Sequence, residues 1–221
     1  LFRSGYLDSP FCENIDTSDE EKLFLELIEL GLNVLIHLIS NRTDYPFSII
    51  SKMNWEKVVE VGDTSEYVRE ISLLLTAQVK NVKAVLSENY FVYYLNKIVD
   101  LVQNKFLTYL YKVKKLSDIG IQKLQLDAFE LKTLLSGLIR IDVEGQRRSS
   151  GAGMQASYVS NVTKKMAKVE NILKLLAMNH DQFLANLENF VDMKNIHEVE
   201  KLMALKGIKK SDDSNIFKIF K

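Results

Sequence analysis

An all-α fold, with antiparallel helices packed in bundles, is what this sequence predicts, and three observations predict it. Two prolines and nine glycines in 221 residues leave few helix breakers, while Leu, Lys, Glu and Ile, all at home in helices, are abundant. Apolar residues recur at spacings of three and four through one segment after another. No segment alternates with period two over the length of a strand.

The elements follow in order. Residues 1 to 16 show no periodicity and read as loosely held. The run "SDEE" at 18–21 offers a capping box, Ser18 with Glu21, and places acids where a helix N-terminus favours them. From Leu23 to Ile39 the helix is apolar nearly all round, with Glu26, Glu29, Asn33 and His37 as its single polar stripe. A membrane span needs about 20 apolar residues free of such charges, so this segment reads as a central bundle helix. A second helix is expected from Pro46, a residue tolerated in a first turn, to Val61, closed at Gly62. Tyr67, Ile71, Leu74, Leu75, Val82 and Val85 mark the next core face, and Phe91, Leu95, Ile98, Val102, Phe106 and Leu110 the one after. Ser117 and Asp118 start a further helix, whose Ile121, Leu124, Ala128, Leu131, Leu135 and Leu138 step like a short coiled-coil seam ending near Ile139.

Residues 142–155, "DVEGQRRSSGAGMQ", read as a mobile linker rich in Gly, Ser and charge. Beyond it, Val159, Val162, Met166, Val169, Leu173 and Leu176 mark one more long helix, with shorter ones at about 181–191, 195–205 and 212–220. The expected division is an N-terminal bundle over 1–116 and a C-terminal bundle over 117–221.

Composition is that of an ordinary globular chain, 47% hydrophobic and 26% charged. The lone Cys12 cannot form an internal disulfide, and no secretory leader is visible, which fits a reducing cytosolic setting. A start at Leu1 rather than Met reads as a piece of a longer protein. Net charge is zero, yet residues 1–100 carry 9 Lys/Arg against 16 Asp/Glu and residues 101–221 carry 20 against 13. A basic end of this kind can meet an acidic partner or an anionic membrane surface, or simply keep a helical surface solvated.

Nothing in the chain assembles into an active site. His37, His180 and His197 are scattered, without metal-ligand spacing. "GAGMQA" at 151–156 lacks the preceding strand of a dinucleotide fingerprint, and "GIKKS" at 207–211 lacks the upstream glycine of a phosphate loop. Glu26 and Glu29 share a face, but nothing converges on them. Lys164, Lys165, Lys168, Lys201, Lys206, Lys209 and Lys210 make basic patches without the interleaved aromatics of nucleic-acid binders. No catalytic residue, metal, cofactor or nucleic-acid partner is expected.

"SKMNWEKVVEVGDTSEYV" at 51–68, with its Trp, Gly and Asp landmarks, carries a family resemblance. Two further stretches agree in order and spacing: "KFLTYLYKVKKLSDIGIQKLQLDAFELKTLL", and "KKMAKVENILKLLAMNHDQF" with its continuation to "LMALKGIKKS". Together they resemble the vacuolar-protein-sorting fifty-three subunit family of the Golgi-associated retrograde protein (GARP) tethering complex, over about 51–211. The first 50 residues match only loosely.

The resemblance implies an elongated rod of helical bundles in tandem, as in CATCHR-type tethering subunits. It implies a non-enzymatic C-terminal fragment of a tether that captures endosome-derived vesicles at the trans-Golgi network. Its partners would be three other GARP subunits, SNARE proteins and small GTPases, and its place the cytosolic side of trans-Golgi and endosome membranes. An anionic membrane-surface module and an assembly module for sibling subunits are the alternatives. Positions that match the family pattern, Asp127, Lys132, Lys165, Glu170 and Lys174, are the expected partner-binding residues, with intrahelical pairing of Glu170 and Lys174 as the structural alternative. Trp55, Gly62, Asp63 and Ser65 are expected to form a structural corner: Trp55 an apolar anchor, Gly62 the turn, Asp63 to Ser65 the next cap. A partner-facing Trp55 is the other possibility.

Overall fold

The computed structural model describes residues 16–142, 151–192 and 195–208. Cys12, the expected looseness of 1–16, most of the 142–155 linker, Lys209, Lys210 and the helix expected at 212–220 lie outside the described residues. Among those described, seven α-helices and one 3₁₀ turn occur and no strand.

The helices are α1 (Ser18–Lys52), α2 (Glu66–Val85), α3 (Glu88–Leu110), α4 (Asp118–Leu138), α5 (Ala152–Ala177), α6 (His180–Phe190) and α7 (Ile196–Lys206), with the 3₁₀ turn at Trp55–Lys57. The chain divides into two compact units, one through Leu38 and one from Ile39 onward.

In the first unit α1 starts differently from expectation. Ser18 is its first helical residue, and Asp16 closes the end: its carboxylate accepts from the Ser18 N–H at 3.0 Å and from the Ser18 hydroxyl. These bonds hold the Asp16 carboxyl below its ordinary range. The expected burial of the 23–39 segment is also corrected. Leu23, Phe24, Leu25, Leu27, Leu30, Val34 and Leu38 are 49–64% exposed, while Leu32 is buried.

In the second unit α1 runs through Pro46 instead of restarting there. Ile39, Thr43, Phe47 and Ile50 form one fully buried stripe across the proline, and its burial outweighs the roughly 3 kcal/mol that an interior proline costs a helix. Helix α3 grips this part of α1: Lys105 Nζ donates to the Ser40 carbonyl at 2.7 Å, and the Tyr109 hydroxyl to Asp44 at 3.1 Å. The helix expected up to Val61 ends at Lys52, and Trp55–Lys57 is a 3₁₀ turn. Val59, 83% exposed, has no apolar surface to hold it in a helix, and Gly62 at φ 53° turns the chain in the left-handed region.

Helix α5 packs against α3, α4, α6 and α7, and α2 packs against α3 and α4. The expected boundary at 116/117 thus falls inside the second unit, with α2 and α4 packed across it. The core faces of α3 and α4 are buried as their spacing predicts, as are Val162, Met166, Val169, Leu173 and Leu176 of α5. Val85 alone departs sharply, at 83% exposed on the last residue of α2. Helix α5 begins at Ala152, so the last four residues of the expected linker are helical.

Candidate interaction surfaces

Trp55 is buried, 1% exposed. Its Nε1 donates to the Ile50 carbonyl at 2.6 Å, and its own carbonyl accepts from the Ser117 hydroxyl at 2.7 Å. The same Ser117 oxygen accepts from the Gly120 N–H at 3.0 Å, capping α4 as its sequence foretells. Gly120 permits this approach: a Cβ there would stand 2.6 Å from the Trp55 carbonyl oxygen.

The start of α2 is organised from a distance. Ser65 occupies the N-cap position, but its side chain makes no capping bond and its buried hydroxyl has no hydrogen-bond partner among the described residues. Asp127 of α4 supplies the acceptor. Its Oδ1 accepts from the Ser65 N–H at 2.9 Å and its Oδ2 from the Tyr67 hydroxyl at 2.8 Å. Asp127 is fully buried, and burial together with its charge pushes the Tyr67 phenol well up. Asp63 is exposed.

The other expected partner-binding residues face outward to different degrees. Lys132 and Glu170 form a half-buried ion pair of 2.8 Å joining α4 to α5. Glu170 thus turns to Lys132 across the helix interface instead of pairing along α5. Lys165 pairs with Asp100 of α3 at 2.7 Å, both about 40% exposed. Lys174 is exposed, as is Lys164.

Concave surfaces flank this framework, two of them away from the Trp55 turn. A cleft of about 300 Å³ between α3, α5 and α7 is lined by Asn104, Tyr111, Lys168, His197, Glu198 and Lys201 among others. Within it the Tyr111 hydroxyl donates to Glu198 at 2.6 Å, Lys168 pairs with Glu198 at 3.3 Å, and Lys201 lies over the Tyr111 ring. Burial and the adjacent carboxylate push the Tyr111 phenol up. Tyr111, Lys168, Glu198 and Lys201 are thus engaged with one another. The second is an open groove of about 670 Å³ between α2 and α4, lined by Val68, Leu73, Thr76, Thr133, Leu134 and Ile141 among others. Leu73 is 74% exposed on its rim. Among the described residues no group of three His, Cys, Asp or Glu side chains could hold a metal ion.

The sequence profile described as "Vacuolar protein sorting-associated protein 53 C-terminus" matches residues 122–208. Over these residues the chain is similar to that family. Vacuolar protein sorting-associated protein 53 A of Arabidopsis thaliana is 24% identical over 217 residues, 98% of this chain and 25% of its own length. The Vacuolar protein sorting-associated protein 53 homolog of Caenorhabditis elegans is 26% identical over 212 residues, 94% of this chain and 26% of its own length. The chain therefore spans about a quarter of the length of these curated relatives. No solved structure matches it.

The match to the vacuolar protein sorting-associated protein 53 C-terminus covers nearly all of α4 and the whole of α5, α6 and α7. Asp127, Lys132, Lys165, Glu170 and Lys174 fall within it, whereas the Trp55 turn falls in the wider stretch shared with the two relatives. Asp127, expected to bind a partner, is instead buried, and the sequence obscured that place. It sits between Leu124 and Leu131 on the apolar face of α4, and that position was the available signal for an inward-facing carboxylate.

Proposed function

We propose that this chain works as the C-terminal part of a non-enzymatic subunit of the GARP complex, a multisubunit tether that captures endosome-derived vesicles at the trans-Golgi network. The observation that carries the reading is the match of residues 122–208 to the vacuolar protein sorting-associated protein 53 C-terminus. The subunit acts from the cytosol, peripheral to trans-Golgi and endosome membranes, beside three other subunits and with SNARE proteins and small GTPases as partners. Binding is its work, and the partner-facing surface is the exposed side of α5 with Lys164 and Lys174, flanked by Lys165 on the side that meets Asp100 of α3. Asp127, Lys132 and Glu170 act behind that surface, holding α2, α4 and α5 in register.

The test separates folding from recognition. Lys165→Glu with Lys174→Glu in the full-length subunit should leave the three siblings co-purifying and lower vesicle capture severalfold. Because Lys165 pairs with Asp100, Asp100→Lys with Lys165→Asp serves as control: it restores the ion pair while leaving the reversed charge elsewhere absent. Unchanged capture by the double reversal sinks the surface assignment. Loss of the siblings instead marks this region as an assembly module, and binding to anionic liposomes that fades at high salt marks it as a membrane-surface module.

A further inference from the structure

In the first unit's part of α1, Leu23, Leu27, Leu30, Val34 and Leu38 step by four, three, four and four, the spacing of a coiled-coil seam. Each is between 49% and 61% exposed. At about 100° per residue this seam lies roughly opposite Leu32, which is 4% exposed. Glu26, Glu29, Asn33 and His37 form a separate, exposed polar stripe between the two apolar faces. The helix is therefore apolar on opposite sides and polar on one flank, the pattern of a helix buried between neighbours. Its most apolar 18-residue window nevertheless has only 11% of its residues buried, at a mean hydropathy of 1.8. Soluble chains rarely leave so continuous an apolar strip in water.

We propose that the Leu23–Leu38 seam is a docking surface for an amphipathic helix with basic flanks, supplied by the same polypeptide in a full-length member of this family. The inference rests on the likeness to this family and not on the tethering role. This chain accounts for 25% and 26% of the length of its relatives and matches a C-terminal profile, so most of a full-length polypeptide lies on the N-terminal side of the matched region. A tethered helix meets the seam at millimolar effective concentration. Charge narrows the occupant further. Asp19, Glu20, Glu21, Glu26 and Glu29 stand against Lys22 alone over the first turns of α1. That flank repels a second copy of itself and anionic headgroups, and attracts Lys and Arg. A bilayer would also have to take in Glu26, Glu29, Asn33 and His37 along one stripe, which intramembrane positions strongly disfavour.

Hydrogen–deuterium exchange over residues 23–38, measured in the 221-residue chain and in the full-length polypeptide expressed without other subunits, tests this. The expected result is exchange at least tenfold slower in the full-length polypeptide. Leu27→Glu with Leu30→Glu should return that exchange to the fast rate there, yet leave the melting temperature of the 221-residue chain unchanged, since both residues are already exposed. Equal exchange in the two proteins overturns the proposal. So does protection that arrives only when sibling subunits are added, a dimer of the 221-residue chain abolished by the double substitution, or flotation of that chain with phosphatidylcholine–phosphatidylserine vesicles.

Discussion

Gly120→Ala and Gly137→Ala make the same chemical change in the same helix and should move stability in opposite directions. At Gly120 a new Cβ would stand 2.6 Å from the Trp55 carbonyl oxygen and 3.2 Å from both Trp55 Cβ and Ser117 Oγ. Two of those atoms belong to a turn already fixed by hydrogen bonds to Ile50 and Ser117, so they cannot yield as a flexible side-chain end would. Forcing one extra carbon into such a contact costs about 1–3 kcal/mol. The helical preference of Ala over Gly returns at most about 1 kcal/mol, and less in a first turn. The net loss at Gly120 is then about 1–2 kcal/mol. At Gly137 nothing stands within 4 Å of the added carbon, so only the propensity gain remains, up to about 1 kcal/mol. With the full propensity gain the two variants differ by about 2–3 kcal/mol, roughly 4–12 °C in midpoint for a chain of this size. Urea titration followed by the fluorescence of Trp55, the single tryptophan, reads the difference at the site itself. A Gly120→Ala variant as stable as the parent, or a Gly137→Ala variant less stable than Gly120→Ala, would refute the packing argument.

Two further outcomes are expected. Asp127→Ala strands the Ser65 N–H and the Tyr67 hydroxyl, each buried, and should cost about 2–4 kcal/mol; removing the stranded hydroxyl as well with Tyr67→Phe should recover part of that loss, a coupling visible in a double-mutant cycle of urea midpoints. Alkaline titration should unfold the protein early. Burial raises the phenols of Tyr67, Tyr111 and Tyr158 and pushes Tyr94 up to about 12. A raised folded-state value means stability that is intact below the ordinary phenol range near 10 and lost as pH climbs above it. Midpoints measured from pH 8 to 11 should therefore fall only past about pH 10, and a flat profile would contradict the buried phenols.

Much of the fold was legible because its signals are local. The core faces of α3 and α4 follow from spacing alone, and the Ser117 cap from its own residue type. What escaped were the effects set by neighbours. Pro46 reads as a helix start, yet Ile39, Thr43, Phe47 and Ile50 carry one buried stripe across it, a condition that only the packed structure reveals. The 23–38 segment reads as interior because its sequence is that of an interior helix, yet Leu23, Leu27, Leu30, Val34 and Leu38 stay about half exposed. Asp127 and Lys132 both looked like surface charges. Asp127 is inside because Ser65 and Tyr67, some 60 residues away in sequence, present donors to it, and no local pattern announces a contact of that range. Lys165 and Lys174 remained on the outside, where charge spacing on a helix is a fair guide.

The bond between Asp127 and the Ser65 amide also has a consequence in time. Its two ends are separated by 62 positions, and a ribosome adding about 5–20 residues per second reaches Asp127 several seconds after it has made the beginning of α2. During that interval the first turn of α2 has no side-chain cap of its own, and frayed ends recruit other carboxylates or remain open. Only when α4 emerges and lies against α2 does the acceptor arrive, so this clasp cannot close earlier. A nascent chain halted anywhere before residue 127 would carry α2 without its clasp, and that interval is when a chaperone has something to hold.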